Sequence, residues 1–251
     1  MDFLRHHPFP VVARFERVVA VSFGFPEEVL RPLVGEVLEI DSFAGLGFIT
    51  VAMVWTRRLR PAGFPEFLGQ DFFLSGYRVF TRLRDESGRR LRGLKILRSE
   101  TDKRRMVASG NLLTKYNYRH VRVRVDEDGG ATRVRTSQPN GTATLDLSIV
   151  DGPGEVALPA GSPFADWRTA RRFAGPMPFT FSPEPDGRVV VIEGSRSDWV
   201  PRPVAVTSWM VGLFAEAPLA GVTPVLANAF AVGGVDYRWE KGRVVRPGVV
   251  K

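Results

Sequence analysis

Apolar residues in this chain recur at every second position or in short runs broken by glycine and proline, the pattern of strands rather than helices. Residues 9–25 are such a segment, with 18–23 apolar enough to be buried. Pro26-Glu27-Glu28 then predicts a short helix over 27–33, because proline fits a first helical turn and acids complement its free amides. Residues 38–55 return to strand, and 48–55 are so poor in polar groups that both faces must be covered. Two prolines and two glycines predict a loop over 57–69. A strand over 71–83, a turn at Ser87-Gly88 and a returning strand over 91–97 make a hairpin. After a polar break at 101–105, the stretch 106–118 fits helix or strand equally. Val121, Val123 and Val125 alternate with Arg122 and Arg124. Together with 132–136, a turn at Pro139-Asn140-Gly141 and 142–150, they predict a three-stranded antiparallel meander. A Pro/Gly-rich connection over 152–163 leads to a helix over 166–173 that Asp166 would cap. Apolar segments at 179–181, 188–193 and 204–214 and a closing strand over 229–237, followed by Trp239, complete the pattern. The fold class expected is strand-dominated α+β. With no repeat and no linker of distinct composition, one domain is expected over 1–251, its core at about 10–240.

Composition narrows the chemistry. The 35 basic residues exceed the 27 acidic ones for a net charge of +8, and five of the 35 are lysines, Lys95, Lys103, Lys115, Lys241 and Lys251, leaving 30 arginines. Cysteine is absent, which excludes a disulfide framework, a thiolate metal centre and a cysteine nucleophile. Three histidines leave little room for a histidine-rich metal site, so neither metal nor cofactor is expected. No apolar run approaches the ~18 residues of a membrane span, and the N-terminus lacks an apolar signal-like stretch, so a soluble cytoplasmic protein is expected. Arg122, Arg124, Arg133 and Arg135 could form a phosphate-attracting stripe, but without interleaved aromatic residues they read as the solvent face of the meander, which argues against nucleic acid. No dinucleotide fingerprint, P-loop or nucleophile elbow occurs, and His6, His7 and His120 sit outside any triad pattern.

The scarce lysines stand out because a desolvated amine loses its charge, and a neutral amine can form a Schiff base with a carbonyl. Lys115 lies between Leu112, Leu113, Tyr116 and Tyr118, and Lys95 between Leu94 and Ile96. Each could instead lie on the outer face of its strand with its ammonium in water. Arg78, Arg98 and Glu100 are charged partners within the same segments.

Gly47-Phe48-Ile49-Thr50-Val51, the loop from 57 to 63 and Gly76-Tyr77-Arg78-Val79-Phe80 follow one another in an order that resembles the DUF2071 family of the acetoacetate decarboxylase-like superfamily. Segments 93–97, 111–118, 172–181 and 195–204 with Trp199 fall in the same order, so the resemblance covers about 10–240. It implies a mostly antiparallel β-barrel or cone with a few peripheral helices around a pocket for a small organic molecule. In acetoacetate decarboxylases a lysine of the barrel forms the Schiff base while acidic and arginine side chains handle the carboxylate and the proton. The resemblance thereby implies Lys115 as the amine, Glu100 as acid or base and Arg78 as partner of the anion, with Tyr77, Lys95 and Tyr118 around the ligand. One position departs. Four residues before the arginine, where the family strand carries glutamate, stands Leu74, and Asp71 falls on the opposite side at period two. Two functions stay open: a Schiff-base lyase or decarboxylase acting on a keto acid or other carbonyl compound, or a non-catalytic module for a hydrophobic ligand or protein partner. Either is compatible with a homo-oligomer.

Overall fold

The computed structural model describes residues 2–152, 155–175 and 177–248, so positions 153 and 154 of the expected Pro/Gly connection, and Lys251, lie outside the described residues. The alternating segments form strands β1 (Val11–Pro26), β2 (Glu39–Ile40), β3 (Leu46–Pro61), β4 (Gln70–Arg84), β5 (Arg90–Thr101), β6 (Tyr118–His120), β7 (Arg122–Asp128), β8 (Ala131–Ser137), β9 (Ala143–Val150), β10 (Phe179–Pro183), β11 (Val189–Arg196), β12 (Arg202–Pro203), β13 (Ala205–Val211), β14 (Val225–Trp239) and β15 (Arg243–Val245). Three helices, α1 (Glu27–Val34), α2 (Arg104–Leu113) and α3 (Trp167–Phe173), interrupt them. The class is therefore strand-dominated α+β.

Pairing in the larger sheet returns to its starting point. β14 pairs with β1, β1 with β3, β3 with β4, β4 with β5, β5 with β10, β10 with β11, and β11 again with β14. Every step of this circuit is antiparallel except β5 with β10. A second sheet, β13-β9-β8-β7, contains the expected meander plus β13, which the sequence marked only as an apolar segment.

Strict alternation gives each circuit strand two different faces. Val19, Val21, Phe23 and Phe25 of β1, Ile49, Val51 and Met53 of β3, and Phe73, Tyr77 and Val79 of β4 enter one core with Val134, Leu145, Leu147 and Ile149 of the second sheet. The intervening residues face inward. This double coverage explains why 48–54 is buried throughout.

Local chemistry sets the remaining elements. Leu30 and Val34 bury the inner side of α1, and Gly35 at φ 82° ends it in a conformation that favours glycine. Asp166 caps α3 by accepting the Thr169 amide at 2.6 Å. The buried carboxylate of Asp41 takes both Arg82 and Arg92. The expected loop over 57–69 is shorter than its composition suggested. β3 continues to Pro61 because β1 still pairs with it there (Val11 with Pro61, Val12 with Arg60), past an irregularity at Arg58, which has φ 53°. The ambiguous stretch 106–118 divides into the C-terminal part of α2 and the start of β6. Arg124 and Arg135 bind Asp126, and Arg133 binds Asp146, so acids of the same sheet neutralise three meander arginines. Among the described residues no helix is long and apolar enough to cross a membrane.

Candidate functional site

Strand register arranges the inner face in rows. Asn228, Ser22, Thr50 and Arg78 stand opposite one another across β14, β1, β3 and β4. The neighbouring row is Phe230, Ala20, Ala52, Gly76 and Ser99, and the next is Val232, Val18, Val54 and Leu74. Directly opposed side chains sit only about 5 Å apart, so the small middle row opens space between a polar row and an apolar one. A cavity of about 140 Å³ results. All seven circuit strands contribute to its wall, and Tyr116, Tyr118, Arg196, Trp199 and Tyr237 close it.

Arg78 dominates the electrostatics. Its guanidinium lies along the strand over Gly76, where an added Cβ would come within 3.0 Å of Nε and Nη2. The Nε is buried without a hydrogen-bond partner, and among the described residues no carboxylate pairs with this side chain. Burial lowers its pKa, opposed by Tyr237, Tyr118 and Tyr116 around it. A guanidinium nevertheless keeps its proton in proteins. Arg196 is a second cation of the wall, its Cζ 5.2 Å from the Trp199 ring centroid and 5.7 Å from that of Tyr237, within cation–π range. Among the described residues the wall contains these two cations and no aspartate, glutamate, lysine or histidine. Burial raises the pKa of Tyr237 and pushes that of Tyr118 up to about 12, so both hydroxyls stay protonated donors at neutral pH. Burial also raises the pKa of Tyr116, against an opposing contact with the Thr180 side chain.

Of the residues implied by the sequence, Arg78 and Tyr118 meet in this cavity. Tyr77 and Glu100 are on the opposite face, where the Tyr77 hydroxyl donates to Glu100 Oε2 at 3.0 Å. Arg98 stands beside them, its Nη1 3.8 Å from Glu100 Oε1 and its Nη2 2.5 Å from Glu216 Oε2. A bulge causes this. Tyr77 pairs with Arg98 but Arg78 with Ile96, leaving Leu97 as an extra residue that reverses the alternation of β5. Lys95 reaches back to α1, donating to the carbonyls of Leu33 at 2.6 Å and Val34 at 3.2 Å. It thus serves the C-terminal end of that helix, where cations are favoured. Lys115 Nζ lies 2.6 Å from Glu184 Oε2, and His6 Nε2 is 3.3 Å from the other oxygen. Neither lysine is part of the cavity wall. Leu74, where the resemblance implied a glutamate, is part of it, whereas Asp71 binds Arg57 and the Arg58 amide on the exterior.

Arg196 and Tyr237 carry no sequence motif, and the sequence marks Tyr116 only as a neighbour of Lys115 and Trp199 only as part of the family resemblance, none of them as a site residue. A signal existed in the glycines. A Cβ on Gly110 would meet the Tyr118 ring at 2.3 Å, and one on Gly194 the Tyr237 hydroxyl at 2.2 Å. Isolated glycines inside strands or helices mark such close approaches.

Burial raises the Glu100 pKa despite opposing contacts from Thr144, Tyr77 and Arg98. Above the ordinary carboxylate value the native state therefore retains a proton that the unfolded chain has released, and stability falls as pH rises to the native value. Glu100→Gln should flatten this decline; chemical denaturation at successive pH values from about 4.5 upward measures it, and an unchanged slope would contradict the assignment.

Comparison with known proteins follows the same outline. Acetoacetate decarboxylase from Legionella pneumophila is similar in structure with a TM-score of 0.65 at 10% identity, covering 96% of this chain and 88% of that chain. The enduracididine biosynthesis enzyme MppR complexed with pyruvate has a TM-score of 0.59 at 13% identity, covering 94% and 90% respectively. An acetoacetate decarboxylase-like enzyme from Sphingomonas wittichii RW1 has a TM-score of 0.58 at 11% identity, covering 97% and 95%. At such identities the likeness is one of fold. No curated protein matches the chain in sequence. The DUF2071 family model, described as an uncharacterized conserved protein, matches residues 12–232, and the chain belongs to this family.

Proposed function

We propose that this protein binds a small organic carboxylate inside the seven-strand circuit, read here as a β-barrel. The observation that carries the proposal is Arg78, a buried cation without a counter-charge among the described residues. Desolvating an ion costs several kcal/mol unless an opposite charge compensates, and a carboxylate matches the guanidinium fork with two parallel hydrogen bonds. Protonated Tyr118 and Tyr237 and the Ser22 and Thr50 hydroxyls supply further donors for a keto or hydroxyl oxygen. MppR complexed with pyruvate is a protein of this fold that accommodates a small keto acid, which favours the same ligand class here.

A Schiff-base lyase or decarboxylase is the second reading, favoured by the acetoacetate decarboxylases among the structural neighbours. Lys115 would be its amine, Glu100 its acid or base and Lys95 and Tyr77 its auxiliaries. The Lys115 ion pair with Glu184, the Lys95 contacts with α1 and the Tyr77–Glu100 contact on the outer face weigh against it. Non-covalent binding is therefore the function supported best.

Thermal unfolding in pyruvate, acetoacetate and acetate should show a rise that the corresponding neutral amides do not produce, since a ligand at about 100 times its Kd stabilises by about 2.7 kcal/mol. Equal responses to acids and amides would remove the role of Arg78. Borohydride reduction in the presence of either keto acid should leave every lysine unmodified; a reduced adduct on Lys115 or Lys95 would establish the lyase reading instead.

A further inference from the structure

A second chamber, of about 110 Å³, adjoins the first. Arg78, Leu74, Tyr116, Tyr118 and Trp239 belong to both walls, so the guanidinium stands where the two spaces meet. Beyond that junction the lining changes character. Met106, Ser109, Gly110 and Leu113, at the i, i+3, i+4, i+7 spacing of one helical face, present a largely apolar side of α2. Leu59 and Phe72 face them from β3 and β4. His7 is the titratable group of the chamber besides Arg78 and the tyrosines, and burial lowers its pKa, which leaves it uncharged at neutral pH. Among the described residues the chamber has no lysine and no arginine other than Arg78 to pair with a second anion.

We infer that the acid held by Arg78 carries an apolar tail, and that the chamber between α2 and strands β3 and β4 receives that tail while the carboxylate stays at the junction. This rests on the carboxylate reading and specifies its substrate class: a hydrocarbon acid rather than a two- or three-carbon one. The size follows from volume. A cavity of about 150 Å³ accommodates a six-carbon ring, so this smaller chamber takes roughly four carbons. An acid of about five or six carbons fills both the junction and the chamber.

Calorimetric titration of the full chain with straight-chain acids from acetate to octanoate tests this. Each methylene that enters the chamber should tighten binding about fourfold, the equivalent of about 0.8 kcal/mol, up to hexanoate, after which the gain stops. Ser109→Phe fills the chamber from α2 and should bring hexanoate down to the affinity of acetate. Leu59→Trp fills it from β3 and gives the same reading if the first variant does not fold. A flat series, or hexanoate binding unaffected in a folded filled variant, overturns the inference. The parent reading fails differently. If 1-hexanol binds as tightly as hexanoate, the carboxylate is not what Arg78 recognises; if acids outbind alcohols with no dependence on length, only the tail assignment is lost.

Discussion

Arg78→Met is expected to unfold at a higher temperature than the wild type without ligand and to lose its response to every carboxylate. Two effects of one residue are separated here. Because a buried guanidinium without a counter-charge opposes folding, an apolar side chain of similar length should be neutral or stabilising by about 1–4 kcal/mol. At this chain length each kcal/mol shifts Tm by about 2–4 °C, so a rise of several degrees is readily seen in a thermal scan. Met at 78 would lie among Leu74, Phe80 and Ile96 of the same wall. Ligand binding should disappear because the anion loses its partner in a site of low dielectric. Arg78→Lys separates charge from geometry, since a compact ammonium lacks the planar fork. It should remain as unstable as the wild type and bind carboxylates more weakly. If Arg78→Met instead lost more than about 1 kcal/mol, the guanidinium would be a structural element of the fold and not an uncompensated charge that opposes folding.

Elements with a local cause were legible in the sequence. Pro26 and Gly35 delimit α1, Asp166 caps α3, and the Pro139-Asn140-Gly141 turn joins β8 to β9. Alternation set Asp71 and Leu74 on opposite faces of β4, but Arg78 is singled out as the partner of an anion through the resemblance to the DUF2071 family. The site beyond Arg78 and Tyr118 depends on events that periodicity does not encode. Counting by twos from Leu94 and Ile96 would carry Arg98 and Glu100 onto the cavity side; the extra residue at Leu97 sends them to the other. Lys115 follows α2 in a segment without a period of its own, so its direction was undetermined. Tyr237 and Arg196 come from strands about 120 residues or more beyond Arg78 and join it only because β11 pairs with β14, a long-range closure without a local motif. Asn228, Ser22 and Thr50 are isolated polar residues in apolar runs, and register alone makes them a row with Arg78.

Gly93→Ala should be severely damaging for a change of one methyl, because it acts on the parallel step of the circuit. A Cβ at this position would come within 2.3 Å of the Phe179 carbonyl oxygen and 2.8 Å of its carbon. Gly93 is also the residue of β5 that registers with Phe179 in β10. Since the obstacle is backbone, no rotamer change relieves it, and β5 and β10 must separate. Overpacking in a filled interior costs about 1–3 kcal/mol, and the upper part of that range is expected here, measured as a lower denaturant midpoint. Gly152→Ala is the matched control, since among the described residues nothing lies within 4 Å of its added Cβ, and a change at an unconstrained surface site stays within about 0.5 kcal/mol. Separating β5 from β10 would also part Leu94 and Ile96 from Thr180 in the cavity wall, so carboxylate binding should weaken along with stability. Wild-type stability in Gly93→Ala would mean that the circuit tolerates an opening between β5 and β10, and enclosure by seven strands could then no longer explain how a buried Arg78 is kept from water.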